Sequence, residues 1–206
     1  MHYVLLVTLW IGWCSLHSAL ISLAVTEPLR KRHPRGFRYY RIFYNLLSVA
    51  TLMPVVYYGY TLRGTPVIVW ESGWRLVPIL LGLTALLFLV SGALRYDLRQ
   101  FLGLRQLVDE NTCSVLTDDC TLDTGGVLSM VRHPWYSAGI LLVWARPLDL
   151  AAIITNLVIC AYFVVGAILE ERKLKRQFGR QHADYQKRVS MLFPFKWVLG
   201  LFPINS

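Results

Sequence analysis

Five stretches of this 206-residue chain are continuously apolar, at 3–25, 42–62, 76–94, 134–145 and 150–169. Strands facing lipid would alternate apolar and polar positions, and these runs do not, so they predict helices. The first three and the last each have about the length that crosses a hydrocarbon core. The fourth holds about a dozen residues, which at ~1.5 Å per residue reach roughly 18 Å, too short to span alone. Arg146-Pro147-Leu148-Asp149 separates it from the fifth. The expectation is a helical hairpin whose turn is set by Pro147. The pattern thus predicts an all-α, integral membrane helical bundle of about five spans, its last two a hairpin capped by a C-terminal tail. Residues 1–206 read as a single membrane domain, with three N-terminal spans in 1–94 and the candidate chemistry in 95–206. There is no internal repeat and no low-complexity linker.

Composition sharpens that reading. The chain is 55% hydrophobic and only 16% charged, where a soluble domain carries about a quarter charged residues. A disordered chain, a disulfide-stapled secreted domain and an ordinary water-soluble enzyme are excluded. The net charge of +9 is concentrated in two places. One is 27–41, where Arg30, Lys31, Arg32, Arg35, Arg38 and Arg41 face the single acid Glu27. The other is the tail from Glu170, with Arg172, Lys173, Lys175, Arg176, Arg180, Lys187, Arg188 and Lys196. The segment 63–75 has two basic residues and one acid. An odd number of spans puts both basic regions on one side. The positive-inside rule makes that side cytoplasmic, with the N-terminus outside. Such basic loops are topology signals that also touch anionic headgroups, so membrane lipid is the expected partner and nucleic acid is not. No charge precedes the first apolar run and no small-x-small site follows it promptly, which argues against a cleaved signal peptide. Cys14 and Cys160 fall in spans as small apolar residues. Cys113 and Cys120 share a cytoplasmic loop, where they are expected to be reduced, and their spacing matches no zinc pattern, so no metal is expected. No small-xxx-small face stands out to specify an oligomer.

The polar stretch 95–132 is long for a loop, and long loops are often functional. It ends in Gly125-Gly126, which permits a sharp turn, and then Val131-Arg132-His133-Pro134-Trp135-Tyr136. Pro134 suits the first position of a helix, where its missing N–H costs nothing. Arg132 and His133 therefore stand at the N-terminal mouth of the fourth span. In an antiparallel hairpin that mouth lies beside Glu170 and Glu171 at the end of the fifth. Two adjacent carboxylates at a membrane boundary need a cation. An anion site at Arg132, His133 and the helix start, close to a cation site at the two glutamates, matches the charges of an amino acid head group. The competing reading is a solvated helix end with pairs such as Glu171 and Lys175.

From 124 to 194 the sequence resembles the membrane methyltransferases that use S-adenosylmethionine, a group that includes isoprenylcysteine carboxyl methyltransferases and phospholipid N-methyltransferases. The resemblance is carried by Gly125-Gly126, Arg132-His133-Pro134-Trp135-Tyr136, Glu170-Glu171-Arg172-Lys173-Leu174, Phe178-Gly179, Tyr185, Val189 and Phe193-Pro194. Asp97 through Gln106, Trp144-Ala145-Arg146-Pro147, His17-Ser18 and the run from Tyr40 through Asn45 to Ser48 resemble the bacterial methanethiol S-methyltransferases and a denitrification-linked sister group. His182 replaces the tyrosine usual after Phe-Gly, and Ser190-Met191 stands where a Val-Pro step often closes the motif. The resemblance implies a catalytic, cofactor-binding half in 95–206 and a prokaryotic inner membrane. It places Arg132, His133, Tyr136, Glu170 and Glu171 around S-adenosylmethionine, with Gly125, Gly126 and Val127 near the adenosine and His182 and Tyr185 covering the pocket.

Methyl transfer from a sulfonium is a direct displacement in which positioning carries much of the acceleration. No Ser-His-Asp or Cys-His grouping argues for a covalent enzyme intermediate. Arg95, Tyr96, Arg99 and His17 are the acceptor-side candidates. An ionisable residue within a span is a functional candidate by default, although Ser15, Ser18 and Ser22 beside His17 equally suit helix packing. The acceptor is expected to be small and apolar or to enter from the membrane: a thiol, a prenylcysteine carboxylate or a lipid amine. Two alternatives stand. One is an NADPH-dependent membrane reductase of the sterol reductase type, against which the run Trp135-Tyr136-Ser137-Ala138-Gly139 counts. The other is a non-catalytic sensor or assembly protein.

Overall fold

A computed structural model describes residues 1–108 and 121–201. The helices in chain order are α1 (His2–Ile21), α2 (Leu23–Arg32), α3 (Pro34–Phe37), α4 (Tyr40–Thr61), α5 (Leu76–Ala93), α6 (Leu98–Leu102), α7 (Arg105–Val108), α8 (Pro134–Trp144), α9 (Leu150–Arg188) and α10 (Phe195–Leu201). Short 3-10 turns cover Ser72–Arg75 and Gly126–Ser129. Among the described residues there is no strand beyond two isolated bridges. Among the described residues four segments are long and apolar enough to cross a membrane: His2–Ile21, Tyr40–Thr61, Ser72–Ala93 and Leu150–Arg188. The protein is an all-helical integral membrane protein.

Element boundaries depart from the sequence expectation in three informative places. The first span stops at Ile21 because Ser22 is extended (φ −68°, ψ 151°) and its hydroxyl donates to the Ala19 carbonyl at 2.7 Å. A serine bonding its local backbone competes with the helix ladder in this way. The basic segment 27–41, read as a loop, is instead mostly helix, α2 and α3. The last apolar run does not stop at 169 but continues as α9 through the charged residues to Arg188, broken only at Gly179 (φ 53°, ψ −120°). That backbone geometry favours glycine. Cys113 and Cys120 lie outside the described residues. Cys14 is buried and free, and Cys160 is free and accepts from Trp144 Nε1 at 3.3 Å.

The chain divides into two compact units. Unit 1 holds Met1–Ile68, the described part of Asp97–Leu116, and Leu148–Val158. Its α1 and α4 pack together, joined by neutral hydrogen bonds: Trp13 Nε1 donates to the Ser48 carbonyl at 3.1 Å, and Tyr40 Oη to the Leu20 carbonyl at 2.6 Å. Asp97 caps α6 by accepting from Gln100 N–H at 3.0 Å, and Gly103 ends that helix in the left-handed region (φ 90°). Two residues after Pro147 also hold the turn into α9. Leu148 pairs with Ile68 (N–H to carbonyl 2.9 Å and 3.0 Å), and Asp149 caps α9 by accepting from Ala152 N–H at 2.8 Å.

Unit 2 holds Val69–Tyr96, the described part of Thr117–Pro147, and Ile159–Ser206 as far as it is described. Ala85 and Phe88 of α5 form one core with Val127, Leu128, Val131 and Ala138. Ile140 of α8, Ala167 of α9 and Leu192 form another, flanked by Tyr136 and Phe163. Close approach depends on Gly139, where a Cβ would stand 2.5 Å from the Phe163 ring. After α9 the chain runs beside the entry to α8: Arg132 N–H donates to the Ser190 carbonyl at 3.0 Å and His133 N–H to Met191 at 3.1 Å. Pro134 is the first residue of α8. At 11 residues this helix reaches roughly 16 Å, about half a hydrocarbon core.

Candidate functional site

The polar centre of unit 2 is one carboxylate. Glu171 follows the apolar part of α9 by two residues, and a carboxylate there has no water to lean on unless protein groups replace it. Four side chains do. Arg132 Nε donates to Glu171 Oε1 at 2.7 Å, and His133 Nε2 stands 2.8 Å from the same oxygen. His182 Nε2 lies 3.1 Å from Oε2, which also accepts from Gln186 Nε2. Glu171 and His133 are each 6% exposed, and His182 is fully buried. Arg132 is further engaged by the carbonyls of Val189 and Gln186.

The two poles read from the sequence therefore do not stand apart. Arg132 and Glu171 close on each other, and the pairing of Glu171 with Lys175 gives way to this inward network. Glu170 is different. Its side chain is 43% exposed, and its recorded ion-pair neighbour is His133 Nδ1 at 3.6 Å. Tyr136 is sandwiched between the His133 ring (5.4 Å between centroids, 8° between planes) and Phe163 (5.5 Å, 15°), which fixes the face His133 presents.

The remaining unit 2 candidates gather around the same entry. Gly126 has φ 55°, and a Cβ there would meet the Arg95 guanidinium at 2.8 Å. Arg95 also pairs with Asp123 at 3.6 Å, while Asp123 accepts from Gly125 N–H at 2.8 Å. Val127 is core. Tyr185 is buried and donates to the Leu128 carbonyl. Tyr96 packs edge-on against Trp135 at 4.9 Å. Burial pushes its phenol far above the usual value, and the charge of Glu170 pushes the same way, so Tyr96 keeps its proton. A cavity of about 430 Å³ lies between Thr124, Ser129, Tyr185, Arg188, Lys196 and Trp197. Glu171 and His133 do not line it; Tyr185 and Val189 belong to both.

His17 and Arg99 belong to unit 1. His17 stands 2.6 Å from Tyr44 Oη and 3.0 Å from Ser48 Oγ, and stacks on Trp13 at 5.0 Å. Arg99 is exposed on α6. Sequence reasoning missed Gln186. It falls one turn after His182, and that i,i+4 spacing on a helix beyond the Gly179 break was the available signal. It also missed that Ser190 and Met191 act through their carbonyls, which makes the departure from Val-Pro tolerable. No group of three or more metal-ligating side chains is present among the described residues.

Over residues 5–202 the chain matches the family described as NnrU protein. The chain belongs to the NnrU family. Among curated proteins it is 30% identical over 135 residues to methanethiol S-methyltransferase 2 of Bradyrhizobium diazoefficiens, covering 64% of this chain and 52% of that one. To methanethiol S-methyltransferase of Pseudomonas deceptionensis it is 30% identical over 96 residues, 46% of this chain and 36% of the relative. To protein-S-isoprenylcysteine O-methyltransferase B of Arabidopsis thaliana it is 35% identical over 80 residues, 36% of this chain and 40% of the relative. The chain thus spans about half or less of the length of these curated relatives. No solved structure matches it.

Proposed function

We propose that this member of the NnrU family is a membrane methyltransferase that takes its methyl group from S-adenosylmethionine and delivers it to a small thiol or another membrane-partitioned acceptor. One observation carries the reading: Glu171 gathers Arg132, His133 and His182 from separate segments, leaving Glu170 beside it half-exposed. The curated relatives, thiol or prenylcysteine methyltransferases by name, support the reaction class.

The residues fit the cofactor. Its ammonium needs a carboxylate with unused capacity, and Glu170 has it. His182 Nδ1 is buried with no hydrogen-bond partner, a capacity for one more polar contact. The cavity beside Tyr185 falls within the ~300–1,000 Å³ of small-molecule sites. When bound, S-adenosylmethionine supplies an electrophilic methyl on a sulfonium. Glu170 and His133 would hold the amino acid portion, with Arg132, Glu171 and Tyr136 fixing their positions. Gly125, Gly126 and Val127 would lie near the adenosine, with His182 and Tyr185 as its cover. Tyr96, held neutral, and Arg95 would orient the acceptor. We assign Arg99 and His17 no contact with the cofactor. In the same reading α8 and α9 form a hairpin, giving five membrane-embedded helices, an outside N-terminus and a cytoplasmic C-terminus. The stretch 95–206 then carries the site within one membrane domain.

Titration calorimetry of the purified protein in detergent tests this. Wild type is expected to bind S-adenosylmethionine, and Glu170→Gln to lose about tenfold or more in affinity, equivalent to ~1.4 kcal/mol, with unchanged thermal stability. Labelled methyl transfer to a panel of thiols, prenylcysteines and lipid amines then identifies the acceptor. A wild-type protein indifferent to the cofactor favours the sensor reading.

A further inference from the structure

The basic residues of unit 1 do more than bias topology. Their helices border an open groove of about 600 Å³, lined by Leu29, Arg32, His33, Arg35, Phe37 and Tyr40. It has two kinds of wall. Phe37 and Tyr40 stack at 5.5 Å with planes 7° apart, and with half-buried Leu29 they make an apolar side. Arg32, His33 and Arg35 make the other, all three exposed. Tyr40 Oη holds the Leu20 carbonyl at 2.6 Å, so the apolar wall is anchored to the end of a membrane-crossing helix.

Charge alone does not account for this arrangement. Arg30, Lys31 and Arg32 fall in the last turn of α2, where the helix dipole welcomes cations. Arg35 lies outside that turn, beyond the break at His33 (φ −134°, ψ 64°), in the short helix α3. Yet the chain turns there so that Arg35 faces the same hollow as Arg32. Among the described residues neither arginine has an ion-pair partner, and Glu27 is the only acid in 27–41. Arginine is suited to phosphate because its fork donates to two oxygens at once. An apolar wall at a membrane boundary, opposite two unpaired guanidinium groups, is complementary to a molecule with a phosphodiester head and acyl chains.

We infer that this groove binds the headgroup of an anionic phospholipid, its phosphodiester on Arg32 and Arg35 and its glycerol and upper acyl carbons against Leu29, Phe37 and Tyr40.

Native mass spectrometry of the full chain in neutral detergent tests the inference, with short-chain phosphatidylglycerol, phosphatidylcholine and inorganic phosphate as probes. Wild type is expected to retain phosphatidylglycerol over phosphatidylcholine. The double variant Arg32→Gln/Arg35→Gln is expected to lose about tenfold or more of that retention, at roughly a fivefold loss per charge. Arg30→Gln/Lys31→Gln removes the same net charge outside the groove and is expected to keep it. Phe37→Gln, which spares every cation, is expected to weaken lipid retention as well. Equal losses in the two double variants would mean diffuse attraction and overturn the site. Equal retention of phosphatidylcholine, or displacement of the lipid by inorganic phosphate at matched concentration, would overturn it too.

Discussion

Two polar clusters, one in each unit, are built on opposite principles. In unit 1, His17 meets Tyr44 and Ser48 across a single pair of helices, and Trp13 adds its N–H to the Ser48 carbonyl. Its members include neutral hydroxyls, a carbonyl and two aromatic rings, and the cluster serves one interface. In unit 2, Glu171 draws on residues 132, 133, 182 and 186, from the approach to α8 and from both sides of the Gly179 break. A formal charge there has taken several chain segments as its solvent. The first cluster decorates a helix pair that apolar packing already defines. The second ties together segments that apolar cores and backbone hydrogen bonds also join.

The largest expected effect follows directly. Glu171→Gln leaves the buried Arg132 charge with carbonyl partners but no counter-ion, and breaking a buried ion pair costs about 3–5 kcal/mol. Thermal unfolding in detergent is expected to show a loss of that order for Glu171→Gln and for Arg132→Met. The double variant should lose far less than the sum, because each single change already strands the other partner. Additive losses would mean that the two side chains do not form a coupled unit. Glu170→Gln is the internal control, since its half-exposed side chain is expected to leave stability within ~0.5 kcal/mol.

Unit 1 should answer more mildly. Removing the Tyr44 hydroxyl with Tyr44→Phe deletes a neutral interhelical hydrogen bond, and such bonds between membrane helices are worth about 0.6 kcal/mol on average and at most ~1.7. Unfolding measurements are expected to give a loss in that range with cofactor binding unchanged. A loss as large as that of Glu171→Gln would erase the distinction between the clusters.

That contrast also explains what could be read from the chain. The apolar runs fix helices because burial in lipid leaves no other backbone arrangement, so α1, α4, α5 and the first half of α9 are legible to within a few residues. The break at Ser22 was not, because it depends on which carbonyl one hydroxyl bonds. The approach of Arg132 to Glu171 was legible from charge and helix order. Their direct closure was not, since it depends on Gln186 and on the Val189 carbonyl, which reach the site only after Gly179 redirects α9. A non-local network has no single sequence period, whereas the His17 stripe has one.

A charged contact in unit 1 tests whether charge or convergence sets the cost. Asp97 caps α6 and pairs with Arg105 at 2.6 Å, within nine residues of chain in unit 1. Burial alone would raise its pKa, but the Arg105 hydrogen bond, the Gln100 N–H and the Arg105 charge together hold it below the ordinary carboxylate value. The folded pKa is thus lower than the unfolded one, near ~3.9. Its contribution is therefore complete above about pH 4 and fades as pH falls through the folded value. Asp97→Ala is expected to cost about 1 kcal/mol, the usual worth of a helix N-cap, at neutral pH, and the difference from wild type should shrink as the medium is acidified below pH 4. Hydrogen exchange at the α6 amides reads this locally. If Asp97→Ala instead costs as much as Glu171→Gln, charge itself is the expensive ingredient. If it stays near the cap value, the stability of the Glu171 site comes from the number of segments it ties together.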